Sequence, residues 1–160
     1  MNLIPVSLRG ARVIILDADG VLRRLPDGDT LEGIEAFETF LRLPQFQDVL
    51  VVATGEWKRG LGIHGIRELF SDDLRARIVD VTPEIENTDE FRDHVENNAW
   101  LAEHPDIARY AVVEYSGQAP LSPVTECGSF VHTGEVFSEA EFGKVARLLR
   151  DPPIGSTRTQ

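Results

Sequence analysis

Asp17 and Asp19 stand one residue apart at the end of an apolar run, in the stretch VIILDADGVL over residues 13–22. Val13 to Leu16 read as a buried strand. Successive strand side chains point to opposite faces, so the two carboxylates would share a face if the strand continued. Gly20 lets the chain bend where a bulkier residue would resist. Two acids beside each other at an open strand edge suit a division of labour, one as nucleophile or metal ligand and the other as acid or base. Asp-Gly is also a common turn dipeptide, so DADG taken alone reads equally as a turn.

The surrounding chain supplies the elements that must hold such a pair. The first strand is expected over Arg12 to Asp17, followed by the turn-rich RRLPDGDT. Leu31, Ile34, Phe37, Phe40 and Leu41 recur at helical spacing, and Asp29 with Glu32 forms a capping-box-like start. DVLVVA, Asp48 to Ala53, is apolar on consecutive residues, as expected of a strand covered by helices on both faces. Leu61 to Phe70 reads as a helix carrying Ile63, Ile66, Leu69 and Phe70, despite Gly62 and Gly65. Ala76 to Val81 is a short strand stopping at Thr82-Pro83. Glu86 to Glu103 is a polar helix with sparse anchors at Phe91, Val95, Ala99 and Leu101. Strands follow at Arg109 to Tyr115 and Ser129 to Thr133. Ser138 with Glu141 caps a terminal helix that Asp151-Pro152-Pro153 stops, leaving a disordered tail. The alternation implies one domain over residues 1–150, an α/β fold with a parallel sheet and helices on both faces.

In such sheets, sites form at the carboxyl ends of the strands. The first strand delivers Asp17 and Asp19, the second Thr54-Gly55-Glu56, and the strand from Arg109 delivers Glu114. Arg92 is the best placed base, with Lys58 and Arg59 as rivals. Together these residues suit a phosphoryl group. A carboxylate nucleophile needs a metal to offset its repulsion from the phosphoryl charge. Magnesium keeps several waters, so one or two carboxylates and a carbonyl suffice. A hydroxyl and a cation would hold the phosphoryl oxygens as charge develops on them.

These pieces resemble the haloacid dehalogenase (HAD) superfamily, whose first motif is an apolar strand running into Asp-x-Asp-Gly and an apolar residue. LDADGV matches it throughout. DVLVVATGEWK resembles the second motif, an apolar strand ending in Ser or Thr. Its Trp57-Lys58 is similar to the Ser-Ser-Trp-Arg ending of a capless HAD group that includes the domain found in Swiss Army Knife RNA repair proteins. IVDVTP, a helix ending in Trp100-Leu101, and YAVVEY follow that group's order. The resemblance implies a HAD-like (Rossmann-like) three-layer fold without a sizeable cap. It implies Asp17 as nucleophile and Mg2+ ligand, forming an aspartyl-phosphate. Asp19 would be the acid/base and a second ligand through its carbonyl. Thr54 and Gly55 would bind phosphate, with Arg92 or Lys58 as the third-motif cation, and Glu114 would hold metal. The chain departs from the group at Glu114-Tyr115, where paired aspartates are usual, and Arg92 is slightly out of register with Trp100.

Composition narrows the field further. The chain has 160 residues, 42% of them hydrophobic, enough for a folded domain with a core. Its net charge of −11 does not favour nucleic acid. A single cysteine, Cys127, excludes an intrachain disulfide and reads as a small half-buried apolar residue. Trp57 and Trp100 read as packing residues, His64, His94, His104 and His132 show no metal-ligand spacing, and Glu84, Glu86, Asp89 and Glu90 form a solvated acidic face. No segment suits a signal peptide or a membrane span, so a cytoplasmic protein without membrane contact is expected. The expected activity is magnesium-dependent phosphomonoester hydrolysis on a phosphorylated substrate. An uncapped site suits a bulky one, a nucleic-acid end or a phosphoprotein. The competing expectation is a catalytically degenerate HAD-like binding or regulatory protein. Dehalogenation is disfavoured, because an acid at Asp19 is what a phosphoryl leaving group needs.

Overall fold

Consecutive apolar positions make strands that are buried on both sides, and this chain has several such runs. The computed structural model describes residues 7–23, 31–86, 92–115, 130–133 and 136–150. Its strands are β1 (Arg12–Leu16), β2 (Leu50–Ala53), β3 (Ile78–Val81), β4 (Arg109–Tyr115) and β5 (Phe130–Thr133). The helices are α1 (Ile34–Leu41), α2 (Trp57–Glu68), α3 (Arg92–Glu103) and α4 (Glu139–Leu149). All five strands pair in parallel in the order β3-β2-β1-β4-β5. The predicted α/β architecture, a parallel sheet with helices on both faces, is therefore what forms.

Strand periodicity divides β1 between two cores. Ile14 and Leu16 face the larger one, with Phe37 and Phe40 of α1, Ile66 of α2 and Val145 of α4. Val13 and Ile15 face a smaller one built on Trp100 of α3. The chain steps outward from β1 through α1, β2, α2 and β3 on one face, then returns under the other face through α3 to reach β4. Right-handed crossovers require that change of face when the direction of travel reverses. The reversal opens a crevice between the carboxyl ends of β1 and β4, where α/β sheets place their ligands.

Several local expectations are corrected. Helix α1 begins at Ile34 behind Gly33, later than the start expected from Asp29 and Glu32, and Asp29 lies outside the described residues. Helix α2 starts four residues before Leu61, and Gly62 breaks it with a φ of 66°. The strand assigned from Ala76 begins at Ile78, because residues 75–77 form a 3-10 turn. The capping box of Ser138 and Glu141 is present in both directions. Phe91, Asp89, Glu90, Ser116, Cys127, Ser129 and the tail after Arg150 fall outside the described residues, as does the side chain of His132. Among the described residues no helix is long and apolar enough to cross a membrane.

The larger core is held by aromatic contacts around Phe37, whose ring meets Phe137 at 5.3 Å and Phe70 at 6.2 Å, both edge-on. Phe37 is fully buried. Phe37→Ala is expected to lower unfolding free energy by about 3–5 kcal/mol in urea denaturation. A loss near zero would show that this cluster does not anchor the fold.

Candidate active site

The same strand parity that splits the core also gathers the polar residues. Val13 and Ile15 of β1, Val52 of β2 and Val112 of β4 face α3. Two positions on, the chain reaches Asp17, Thr54 and Glu114, which by alternation belong to that face too. Parallel register aligns Leu16 with both Ala53 and Val113, so the three residues arrive at one level. The Asp17 amide donates to Val113 O at 3.2 Å, and the Thr54 amide to Leu16 O at 2.9 Å. Asp17, Thr54 and Glu114 are all buried.

Asp17 sits in a close backbone cradle. Its Oδ1 accepts the Ala18 amide at 2.7 Å. Gly55, at φ 94°, passes so near that a Cβ there would lie 2.3 Å from Asp17 Oδ1. Only glycine allows both that φ and that approach. After Ala18 the backbone turns at once, because the amides of Val21, Leu22 and Arg23 all donate to the Ala18 carbonyl. The strand therefore ends at Leu16, and Asp19 stands on the turn instead of continuing the strand face. Its carboxylate pairs with Arg23 and is partly exposed. Gly20, at φ 75°, lies against Tyr115, and its carbonyl accepts the Thr133 hydroxyl.

Burial pushes the Asp17 carboxyl up to about 8, and the negative charges of Asp93 and Asp19 add to the effect. Burial raises Asp93 as well, reinforced by Glu96 and opposed by Arg59 and Lys58. Asp17 is thus a buried acid on which two further acids act.

The cations expected there are engaged elsewhere. Lys58 Nζ is buried 2.7 Å from Glu96 Oε1 and also donates to Thr82 Oγ1 at 2.8 Å and to the Thr82 and Pro83 carbonyls. Arg59 donates to both Glu96 oxygens. Arg92 opens α3 with its Nε 3.7 Å from Glu96 Oε2. Burial opposes charge on Glu96, but hydrogen bonds from Lys58 and the Ile85 amide and the charge of Arg59 hold its carboxyl below the usual range. Glu114 is not a surface acid: it is buried, and its Oε2 lies 2.9 Å from His94 Nε2. Thr54 is brought beside Asp17, but its hydroxyl donates to Asn97 Oδ1 at 2.6 Å.

Helix α3 supplies what the sequence reading missed. Its buried residues are His94, Glu96, Asn97 and Trp100, whereas Val95, expected as an anchor, is 37% exposed. The inward face is polar because it covers the strand ends. Spacing alone carried a signal, since His94, Asn97 and Trp100 recur every three residues on one helix face. Trp100 packs in the smaller core and its indole donates to Asp80, and the Trp57 indole donates to the Thr54 carbonyl, so both are packing residues as expected.

This arrangement, a parallel Rossmann-like sheet with an Asp-x-Asp turn after its central strand and no cap among the described residues, defines a HAD-type domain. The pattern of one family, described as the HAD domain in Swiss Army Knife RNA repair proteins, matches residues 13–136, and the chain belongs to that family. No curated protein and no solved structure matches it. HAD domains are hydrolase-type proteins that typically use Mg2+.

Among the described residues, no three His, Cys, Asp or Glu side chains converge as a metal-holding group. Magnesium requires less than that. A buried carboxylate beside two like charges, at an open strand end with a carbonyl-rich turn, has the donor chemistry for a hard cation that retains waters. Without a cation, Asp17 makes folding pH-dependent. Its unfolded value is 3.8 and its folded value about 8, so between these pH values the folded state holds the extra proton and stability falls as pH rises. Asp17→Asn, assayed with chelator present, is expected to raise Tm by about 3–6 °C at pH 8 and by much less at pH 4. An equal Tm for both proteins at pH 8 would contradict the buried, uncompensated carboxylate.

Proposed function

We propose that this domain hydrolyses phosphomonoesters with Mg2+, through an aspartyl-phosphate on Asp17. The observation that carries the reading is the placement of Asp17: a buried carboxylate at the end of the central strand, closed on one side by Gly55 and with the further acids Asp93 and Asp19 acting on it. Its oxygen attacks phosphorus, the ester oxygen leaves with a proton, and water then cleaves the acyl phosphate to regenerate Asp17 and release phosphate. Asp19 is the acid that protonates the leaving oxygen and the base that activates the water. For that work its pair with Arg23 must open, which the partial exposure of both side chains permits. Mg2+ would be held by Asp17 and the Asp19 carbonyl, with Glu114 reaching it only by leaving His94. Bound there, it supplies the positive charge that lets an anionic carboxylate approach a phosphoryl group.

A HAD domain of the capless group suits a bulky phosphorylated substrate. A nucleic-acid end fits the RNA-repair setting of the family, though the net charge of −11 works against long-range attraction to it. The binding-protein reading is favoured by one feature, the engagement of Glu114 by His94 and of Lys58 by Glu96.

With p-nitrophenyl phosphate and Mg2+, turnover is expected and Asp17→Asn should reduce kcat by about 10³-fold or more. Chelation should abolish the activity, and added Mg2+ should restore it. Activity that survives Asp17→Asn would remove the proposed nucleophile. A folded protein inert towards a panel of phosphoesters would favour the binding reading.

A further inference from the structure

We infer that Asn97 is a phosphoryl-oxygen donor in this site, oriented from a distance by Lys58 through Thr82 and Thr54. This rests on the phosphatase reading and assigns the group that takes the place of a cation there.

A lysine ammonium can only donate. Lys58 Nζ donates to Thr82 Oγ1 at 2.8 Å, so the Thr82 proton must point elsewhere, and it goes to Thr54 Oγ1 at 3.0 Å. Thr54, accepting there, passes its own proton to Asn97 Oδ1 at 2.6 Å. The direction of the chain is fixed at its charged end, and so is the orientation of the amide at its other end. Asn97 must turn its oxygen to Thr54, which leaves Nδ2 as the outgoing donor. That nitrogen is buried and has no hydrogen-bond partner among the described residues, in a residue only 1% exposed.

A buried amide N–H left unmade is costly, about 1–3 kcal/mol, and calls for a reason. Its position offers one. Thr54 is hydrogen-bonded through its amide to Leu16, next to Asp17. Asp93, one helical turn before Asn97, acts on Asp17 by its charge. Asn97 therefore stands on the face of α3 that covers the level of Asp17 and Thr54. Phosphoryl oxygens only accept, and the Thr54 hydroxyl has no proton left for them. The donor passes from the hydroxyl to the amide, and hydrogen bonds in series polarise one another towards it. Lys58 and Thr82 are positioning residues; Asn97 is the group that meets the substrate.

The test is steady-state kinetics with p-nitrophenyl phosphate and competition by inorganic phosphate, on the full chain with Mg2+. Asn97→Asp keeps an acceptor for Thr54 and loses the donor, while Asn97→Ala loses the donor without adding charge. Both should raise KM and the phosphate inhibition constant about tenfold, the equivalent of one hydrogen bond. Thr82→Val breaks the relay and should raise KM similarly, and Thr82→Ser, which keeps the hydroxyl, should restore it. The Thr82 pair decides the matter if the Asn97 variants do not fold. Wild-type turnover with unchanged KM and phosphate inhibition in the folded variants would overturn the role of Asn97 and leave the phosphatase reading standing. A wild type that neither turns over the ester nor binds phosphate would overturn both.

Discussion

Two backbone hydrogen bonds at the end of β1 hold the candidate site together. The Leu16 carbonyl takes the Thr54 amide, and the Asp17 amide reaches the Val113 carbonyl. They tie the last residues of β2 and β4 to either side of Asp17. Because the pairing is parallel and in register, one level of the sheet carries Asp17, Thr54 and Glu114 together. A slip of one residue in either neighbour would turn its polar side chain to the opposite face and bury it among the phenylalanines of the larger core. The apolar runs of β1, β2 and β4 therefore set the position of the acids as well as the stability of the sheet.

The polar layer above this level is organised by a second buried contact, the ion pair of Lys58 and Glu96. Glu96 also takes Arg59 and lies beside Arg92, so a single carboxylate gathers the basic residues of α2 and the start of α3. Breaking such a pair would leave a buried charge uncompensated, a loss of several kcal/mol. The pair ties α2 to α3 over the strand ends, and Glu96 engages these basic residues. The centre is left acidic, and its natural complement is a divalent cation with a phosphoryl group, not a protein base. This is why the neutral amide of Asn97 becomes the donor of interest.

Much of this was legible in the residues. The strand ends at Asp17, Thr54 and Glu114 follow from apolar runs whose length and order also give the parallel sheet. Resemblance in the DADG stretch pointed to the family that the chain matches over residues 13–136. The helix before β4 was misread for a physical reason. Its inward face is made of His94, Glu96 and Asn97, so apolar spacing selected Val95, which faces outward. Hydrophobic periodicity finds a helix face that packs on a core. It cannot find one that packs on a site, since that face is chosen for hydrogen bonding.

By itself, the sequence determined which polar residues stand at the carboxyl ends of β1, β2 and β4, because consecutive Val, Ile and Leu define buried strands and the polar residue after them lies near their exit from the core. It also determined that Gly20 and Gly55 could take the positive φ their turns require. Only the tertiary structure decided which charges meet. Lys58 and Glu96 are far apart in the chain, as are His94 and Glu114, and their partners follow from how α3 settles on the sheet. Ion pairs and hydrogen-bond direction depend on distances of a few ångströms between separate elements, and no periodicity along the chain encodes those distances.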